Sequence, residues 1–235
     1  MQYRRVLIKL SGELLGSASD AIDIVWINRV VQEICQAAEQ GVQVAIVVGG
    51  GNFFRGSKLS EQGINRISAD SVGMLATVMN AIILADVFEQ HQMRVELMSA
   101  IPMMGHAENF NLKKAISALE MGKVVIFAGG TGNPLVTTDS AASLRAIEIG
   151  AELLLKATRV DGVYDKDPLE SQQAERFEKI SFTDVISKEL KVMDMGAFIQ
   201  CHQYGLPICV FDVNKPKALF RVLNGEKEGT LISEE

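Results

Sequence analysis

Six apolar, largely β-branched runs, RRVLIKL, VQVAIVV, VELMSA, KVVIFAGG, AELLLKAT and PICVFDV, recur along the chain with helix-patterned segments between them. Strands that alternate with helices in this way predict a mainly parallel sheet covered by helices. A chain of 235 residues, 48% of them hydrophobic, can bury a sizeable core, so one compact α/β domain over residues 1–235 is expected. The first helix is read from Ile24, Ile27, Val30, Val31, Ile34, Cys35 and Ala38, with Gly41 as its end. Shorter helices are expected near 112–120, 194–204 and 216–223, with GTLIS as a closing strand. In DSAASLRAIEIG, Asp139 is a natural N-cap and Gly150 the stop.

One segment breaks the amphipathic rule. SVGMLATVMNAIILADVF, in a helix expected over about 70–89, has only Thr77, Asn80 and Asp86 as polar positions. A helix apolar nearly all round is buried on more than one side. It is either a central core helix or one that also meets a second subunit.

The net charge of −6 argues against nucleic acid or an anionic membrane as the main partner, but not against a small anion held by a few local cations. No apolar run reaches about 18 uninterrupted residues, and MQYRRVLIKLSGE is too short an apolar stretch for a secretion signal, so a cytoplasmic protein is expected. Cys35, Cys201 and Cys209 form no CxxC pair and read as reduced, buried thiols. His91, His106 and His202 lack metal-ligand spacing, so no protein-held zinc is expected.

Four loops directly follow strands, and ligands of open parallel sheets bind beyond the carboxyl ends of strands, so these loops can converge. KLSG offers Lys9 as a charge, then Ser11 and Gly12, to a polyphosphate. VVGGGNFFRG follows the second strand with Gly49, Gly50 and Gly51 and closes on Arg55. Bare glycines let a ligand approach the main chain, successive N–H groups form an anion nest, and arginine adds a planar fork. A tight turn needs one glycine, so three favour ligand approach. Neither standard phosphate loop fits: no GK[ST] occurs, and Phe54 stands where the dinucleotide fingerprint needs its last glycine. GGTGNPLVTTDS runs into a helix N-terminus, which favours anions; Asp139 there could also hold Lys9 or help hold Mg²⁺. In KATRVDGVYDKDP, Lys156 ends a strand, Tyr164 offers a face for a base, and Asp165 and Asp167 could accept ribose hydroxyls. Several cations, many free N–H groups and few proton-transfer groups make up the inventory of phosphoryl transfer.

IKLSGE, VVGGGNFFRG, TGNPLVTTDSAA and KATRVDGVYDKDP, in this order, resemble the amino-acid kinase superfamily. DSVGMLATVMNAI, SAIPM, the proline of GNP, ELKVMDMGAF and GTLI are similar to its bacterial branch that phosphorylates UMP, and the likeness runs over about 6–232. The resemblance implies a single three-layer α/β/α domain without a Walker motif. It implies transfer of the ATP γ-phosphoryl group to UMP, giving UDP and ADP in pyrimidine nucleotide synthesis, with Mg²⁺ carried by ATP rather than held by the protein alone. Matched by motif, Lys9, Leu10, Ser11, Gly12, Gly51, Arg55, Thr158, Tyr164 and Asp167 fall on the ATP side. Gly50, Asp70 (on the ribose), Thr131, Gly132, Asn133, Pro134, Leu135, Val136, Thr137 and Thr138 fall on the UMP side. Lys9, Arg55, Asp139 and Lys156 are the expected catalytic set. Members form homohexamers built from dimers through the long helix, and many are activated by GTP and inhibited by UTP. Ala85, Glu89 and Glu96 stand where several relatives carry basic residues against GTP, which sets GTP activation apart from the other expectations. Two other readings remain open: a kinase of the same fold acting on a carboxylate, and a non-catalytic nucleotide or oxoanion binder.

Overall fold

The computed structural model describes residues 1–54, 56–166, 173–190 and 192–234, without the side chains of 56–58. Arg55 and Asp167, both expected at the site, lie outside the described residues. Among the described residues, nine strands form one sheet: β1 (Arg5–Leu10), β2 (Gln43–Val48), β3 (Val95–Ser99), β4 (Glu108–Asn109), β5 (Val124–Ala128), β6 (Leu153–Thr158), β7 (Lys179–Ser181), β8 (Ile208–Asp212) and β9 (Thr230–Ser233). Their order is β4-β3-β5-β2-β1-β6-β8-β9-β7, and every neighbouring pair is parallel except β8 with β9. The fold is therefore α/β on a mixed, mainly parallel sheet.

Alternation along the central strands separates two cores. Val6, Ile8 and Leu10 of β1 join residues of α1 (Gly12–Leu15), α2 (Ile24–Glu39), α4 (Arg66–Gln90) and α9 (Ala218–Leu223). Leu7 joins α5 (Leu112–Glu120), α6 (Thr138–Glu148), α7 (Phe182–Ser187) and α8 (Met195–Gln203) on the other face. Lys9 follows the parity of Leu7 and so points toward the α6 layer. A further short helix, α3 (Gly56–Glu61), precedes α4.

The long helix starts a full turn before the expected 70. Asn65 caps α4 by accepting the Ile67 N–H at 2.9 Å, so Asp70 sits in the second turn. Its first turn, Arg66–Ala69, buries only Ala69 and exposes Arg66, Ile67 and Ser68, which left no apolar period to mark it. By length and composition α4 could cross a membrane; here Ala81, Leu84, Val87 and Phe88 are buried in the core, and Ile67, Leu75, Met79 and Ile82 face outward. All three cysteines are free and buried, and burial pushes Cys35 up to about 11 and Cys201 and Cys209 up to about 12.

Candidate active site

The register of β1 on β6 sets Lys9 directly beside Lys156, both aimed at the N-terminus of α6. There Asp139 receives one lysine on each oxygen: Lys9 Nζ lies 2.8 Å from Oδ1, and Lys156 Nζ donates to Oδ2 at 2.8 Å. Lys9 also donates to Ser11 Oγ at 2.9 Å, and Lys156 to the Val192 carbonyl at 2.5 Å. Asp139 is not the cap that sequence suggests. Thr137 caps α6, its hydroxyl accepting the Asp139 and Ser140 N–H groups at 3.1 and 3.2 Å. A hydroxyl does the capping, which releases the carboxylate two residues on for the lysines.

Asp194 supports this corner from α8. It caps that helix through the Ala197 N–H at 2.9 Å, and it accepts the Ser140 hydroxyl at 3.1 Å and the Thr137 hydroxyl. Burial alone would raise the Asp139 carboxyl, but Lys9 and Lys156 together hold it below the usual carboxylate range. For Lys156, burial and then the nearby Lys9 push the ammonium below the ordinary lysine value, against the pull of Asp139. Two ammoniums thus share one buried carboxylate at the carboxyl ends of the central strands, with Asp194 a further negative charge near Lys156.

The three glycines are explained first by the protein itself. A Cβ on Gly12 would lie 2.3 Å from the Gly51 nitrogen, one on Gly49 would lie 2.8 Å from the Gly12 nitrogen, and one on Gly51 would lie 2.3 Å from Glu13 Oε1. A Cβ on Gly50 would meet the Gly73 carbonyl at 2.7 Å and the Ala76 Cβ at 2.8 Å. The β1 and β2 loops therefore touch backbone to backbone, and the second loop also lies flat on α4.

Beyond them lies a cleft of about 220 Å³. Of the residues expected on the acceptor side, Gly50, Asp70, Asn133, Leu135, Val136, Thr137 and Thr138 line it. Thr131 lines a neighbouring groove, and Gly132 and Pro134 line neither. Asp70 is held from two sides: Arg66 Nε donates to both oxygens at 3.0 Å, and the Leu135 N–H donates to Oδ2 at 2.9 Å. Leu135 carries φ of 67°, a left-handed conformation that costs a non-glycine residue on the order of 1 kcal/mol or more and is sustained here by that bond. The sequence reading missed Phe54, Arg66, Gly73, Met74, Thr77 and Gly130 in the cleft wall. Gly73 within a helix, and Thr77 on an otherwise apolar one, were the available signals.

On the other side of the glycines, Leu10 is buried as the last residue of β1 and Ser11 occupies the N-cap of α1. The Thr158 hydroxyl donates to the Val160 carbonyl at 2.5 Å, and the Tyr164 hydroxyl to Asp161 Oδ1 at 2.5 Å. Arg159 donates to the Glu13 carbonyl at 2.5 Å, tying the β6 loop to α1. Asp161 also takes Lys215, from the loop after β8, at 2.8 Å. The described residues expected on the ATP side thus lie at the carboxyl ends of β1 and β6 or in the segments that follow β1, β2 and β6, and Arg159 ties the first and the last of these segments together.

The pattern of the Amino acid kinase family matches residues 4–212. Uridylate kinase from Coxiella burnetii is 54% identical over 233 residues, covering 99% of this chain and 96% of its own. Uridylate kinase from Shewanella sp. (strain ANA-3) is 51% identical over 231 residues, covering 98% of this chain and 96% of its own. Among solved structures, the UMP kinase from Bacillus anthracis superposes with a TM-score of 0.97 at 37% identity, covering 100% of this chain and 98% of that one. The UMP kinase from Ureaplasma parvum gives 0.93 at 35% identity, with both chains covered in full.

Proposed function

We propose a residue-level mechanism on the premise that this chain belongs to the amino acid kinase family, as a uridylate kinase that phosphorylates UMP with ATP. The observation that carries it is the buried Lys9–Asp139–Lys156 cluster, at the N-terminus of the helix whose first residue, Thr138, lines the 220 Å³ cleft. UMP occupies the cleft with its ribose hydroxyls on Asp70 and its base against the 131–138 loop. ATP lies along Ser11, Gly12, Gly51, Thr158 and Tyr164.

A nucleoside monophosphate has its second pKa near about 6, so its attacking oxygen is already ionised at neutral pH and needs no general base. The obstacle is repulsion between two anions. Lys9 and Lys156 offset it, and Asp139 fixes both ammoniums on one carboxylate so that they are in place before the substrates arrive. Arg55, outside the described residues, is assigned to the same anions by its motif alone. Each Asp139 oxygen already faces a lysine, so Mg²⁺ would arrive with the triphosphate, where it would offset phosphate charge, rather than be held by Asp139.

Assembly and regulation follow the same reading. The outward Ile67, Leu75, Met79 and Ile82 of α4 form the contact between two copies in a homohexamer. UTP inhibits by competing for the acceptor cleft. Glu96, paired with Lys123 at 2.8 Å and Lys114 at 3.2 Å, is an acid where the resemblance expects a base against GTP, so GTP activation is set apart from the other assignments and is read separately below. The protein acts in the cytoplasm.

ADP release from Mg-ATP, measured with UMP, CMP, dTMP or glutamate and with or without GTP, tests these assignments together. Release with UMP alone, and its loss by about 10²–10³ in a folded Lys9→Ala variant, is expected. Near-normal turnover by Lys9→Ala would overturn the assigned role.

A further inference from the structure

α4 is apolar almost throughout, yet two of its most buried residues are polar: Thr77 is 2% exposed and Asn80 is fully buried. Neither serves the helix alone. The Thr77 hydroxyl donates to the Met74 carbonyl at 2.7 Å and accepts the N–H of Gly129 at 2.7 Å. Gly129 opens the 129–138 loop directly after β5 and has φ of 75°. The Asn80 amide donates to the Gly49 carbonyl at 2.7 Å, at the end of β2, and exchanges bonds with the Asn52 amide at 2.7 and 3.0 Å. Asn52 in turn donates to the Ala21 carbonyl at 2.8 Å.

Residues three apart share one helix face, and the strands they reach, β2 and β5, are neighbours in register. One turn of α4 therefore holds both loops of the site from beneath, and Gly50 lies flat on that same turn at the Gly73 carbonyl. We propose that Thr77 and Asn80 are positioning residues for phosphoryl transfer: Thr77 sets the acceptor loop and Asn80 sets the glycine loop between the two nucleotides. This inference rests on the assignment of those loops to UMP and ATP made above.

The chemistry separates positioning from plain support. Buried polar groups must be paired, so any deletion lowers stability. Only a positioning role also divides the kinetic constants by loop. Thr77→Val keeps the shape and removes the acceptor for Gly129. It should lower kcat/KM for UMP about tenfold with little change in KM for ATP, and Thr77→Ser should restore it. Asn80→Asp replaces the donor facing the Gly49 carbonyl by a carboxylate oxygen. Two acceptors then face each other until the buried acid takes up a proton.

The experiment measures melting temperature and steady-state kinetics for these three variants, alongside the unmodified enzyme and Lys9→Ala. The expected result is that kcat of Asn80→Asp, relative to the unmodified enzyme, rises as pH falls from about 8 to about 6, because the neutral acid donates again. Thr77→Val should show the UMP-selective loss. If Thr77→Val does not fold, the pH dependence of Asn80→Asp decides alone. Lowered melting temperatures with unchanged kinetic constants at every pH would overturn the inference. Normal turnover by Lys9→Ala would overturn the site assignment beneath it.

Discussion

Replacing Asp139 by asparagine removes one negative charge and leaves two ammoniums facing each other. At an effective dielectric of about 20, each lysine–carboxylate contact at 2.8 Å is worth about 6 kcal/mol. Two ammoniums separated by about the strand spacing of 4.8 Å repel by about 3.5 kcal/mol. These gross terms do not all appear in the stability, because one lysine can escape by losing its proton. At pH 7.5 that escape costs about 4 kcal/mol from an ordinary lysine pKa near 10.4. The same figure falls inside the range of about 3–5 kcal/mol for breaking a buried pair. At about 2–4 °C per kcal/mol for a chain of this size, Asp139→Asn should melt about 8–16 °C lower. The sign with pH is distinctive. Deprotonation becomes easier by about 1.4 kcal/mol per pH unit, so the deficit should shrink steadily from pH 7.5 towards 10. Mg-ATP should raise the melting temperature of the variant more than that of the unmodified enzyme, since the triphosphate replaces the lost charge. Calorimetry or thermal fluorescence across that pH range, with and without nucleotide, reads all three effects. A deficit that is absent, or the same at every pH, would refute the charge reasoning.

Lys156 has its ammonium pushed below the ordinary lysine value by burial and by Lys9, so the unfolded chain binds that proton more tightly. Its contribution to stability therefore rises as pH climbs through the window between its folded value and the ordinary one, while activity that needs the ammonium falls; Lys156→Arg should remove this alkaline limb from the kcat profile. Asp139, held low, contributes fully above the ordinary carboxylate value and loses its contribution as pH falls through its folded value, which acid unfolding can follow. Gly50→Ala puts a Cβ 2.7 Å from the Gly73 carbonyl and should destabilise by about 1–3 kcal/mol in a denaturant titration while raising KM for UMP. Met79→Lys places a charge in the outward apolar stripe of α4 and, on the proposed homohexamer, should reduce the mass seen in sedimentation equilibrium.

The buried strands were legible because each is apolar on both faces, and a run such as VQVAIVV has no other place in a soluble fold. Lys9 and Lys156 were legible for the opposite reason, as charges interrupting such runs near their carboxyl ends. Some short elements left no signal, although α9 and β9 were read at 216–223 and GTLIS. β4 has two exposed residues, and α1, α3 and α7 have four to six, too few to show a helical period. Nor could sequence show that α4 forms the floor of the cleft, since Phe54, Arg66, Gly73, Met74 and Thr77 become wall residues only through tertiary packing.

The glycines of VVGGGNFFRG mark where local reasoning about sequence reaches its limit. Read alone, three bare residues after a strand point to a ligand against the backbone. In the fold, the space at Gly12, Gly49 and Gly51 is filled by the neighbouring loop and Glu13, and the space at Gly50 by α4. The two readings are not rivals. Phosphates can meet between β1, β2 and β6 only if the loops ending those strands lie close enough for N–H groups and ammoniums to share one anion. Side chains on those glycines would hold the loops apart. The glycines act through the protein: they let backbone meet backbone, and that contact brings the loop after β1 against the loop after β2, on the strand that carries Lys9.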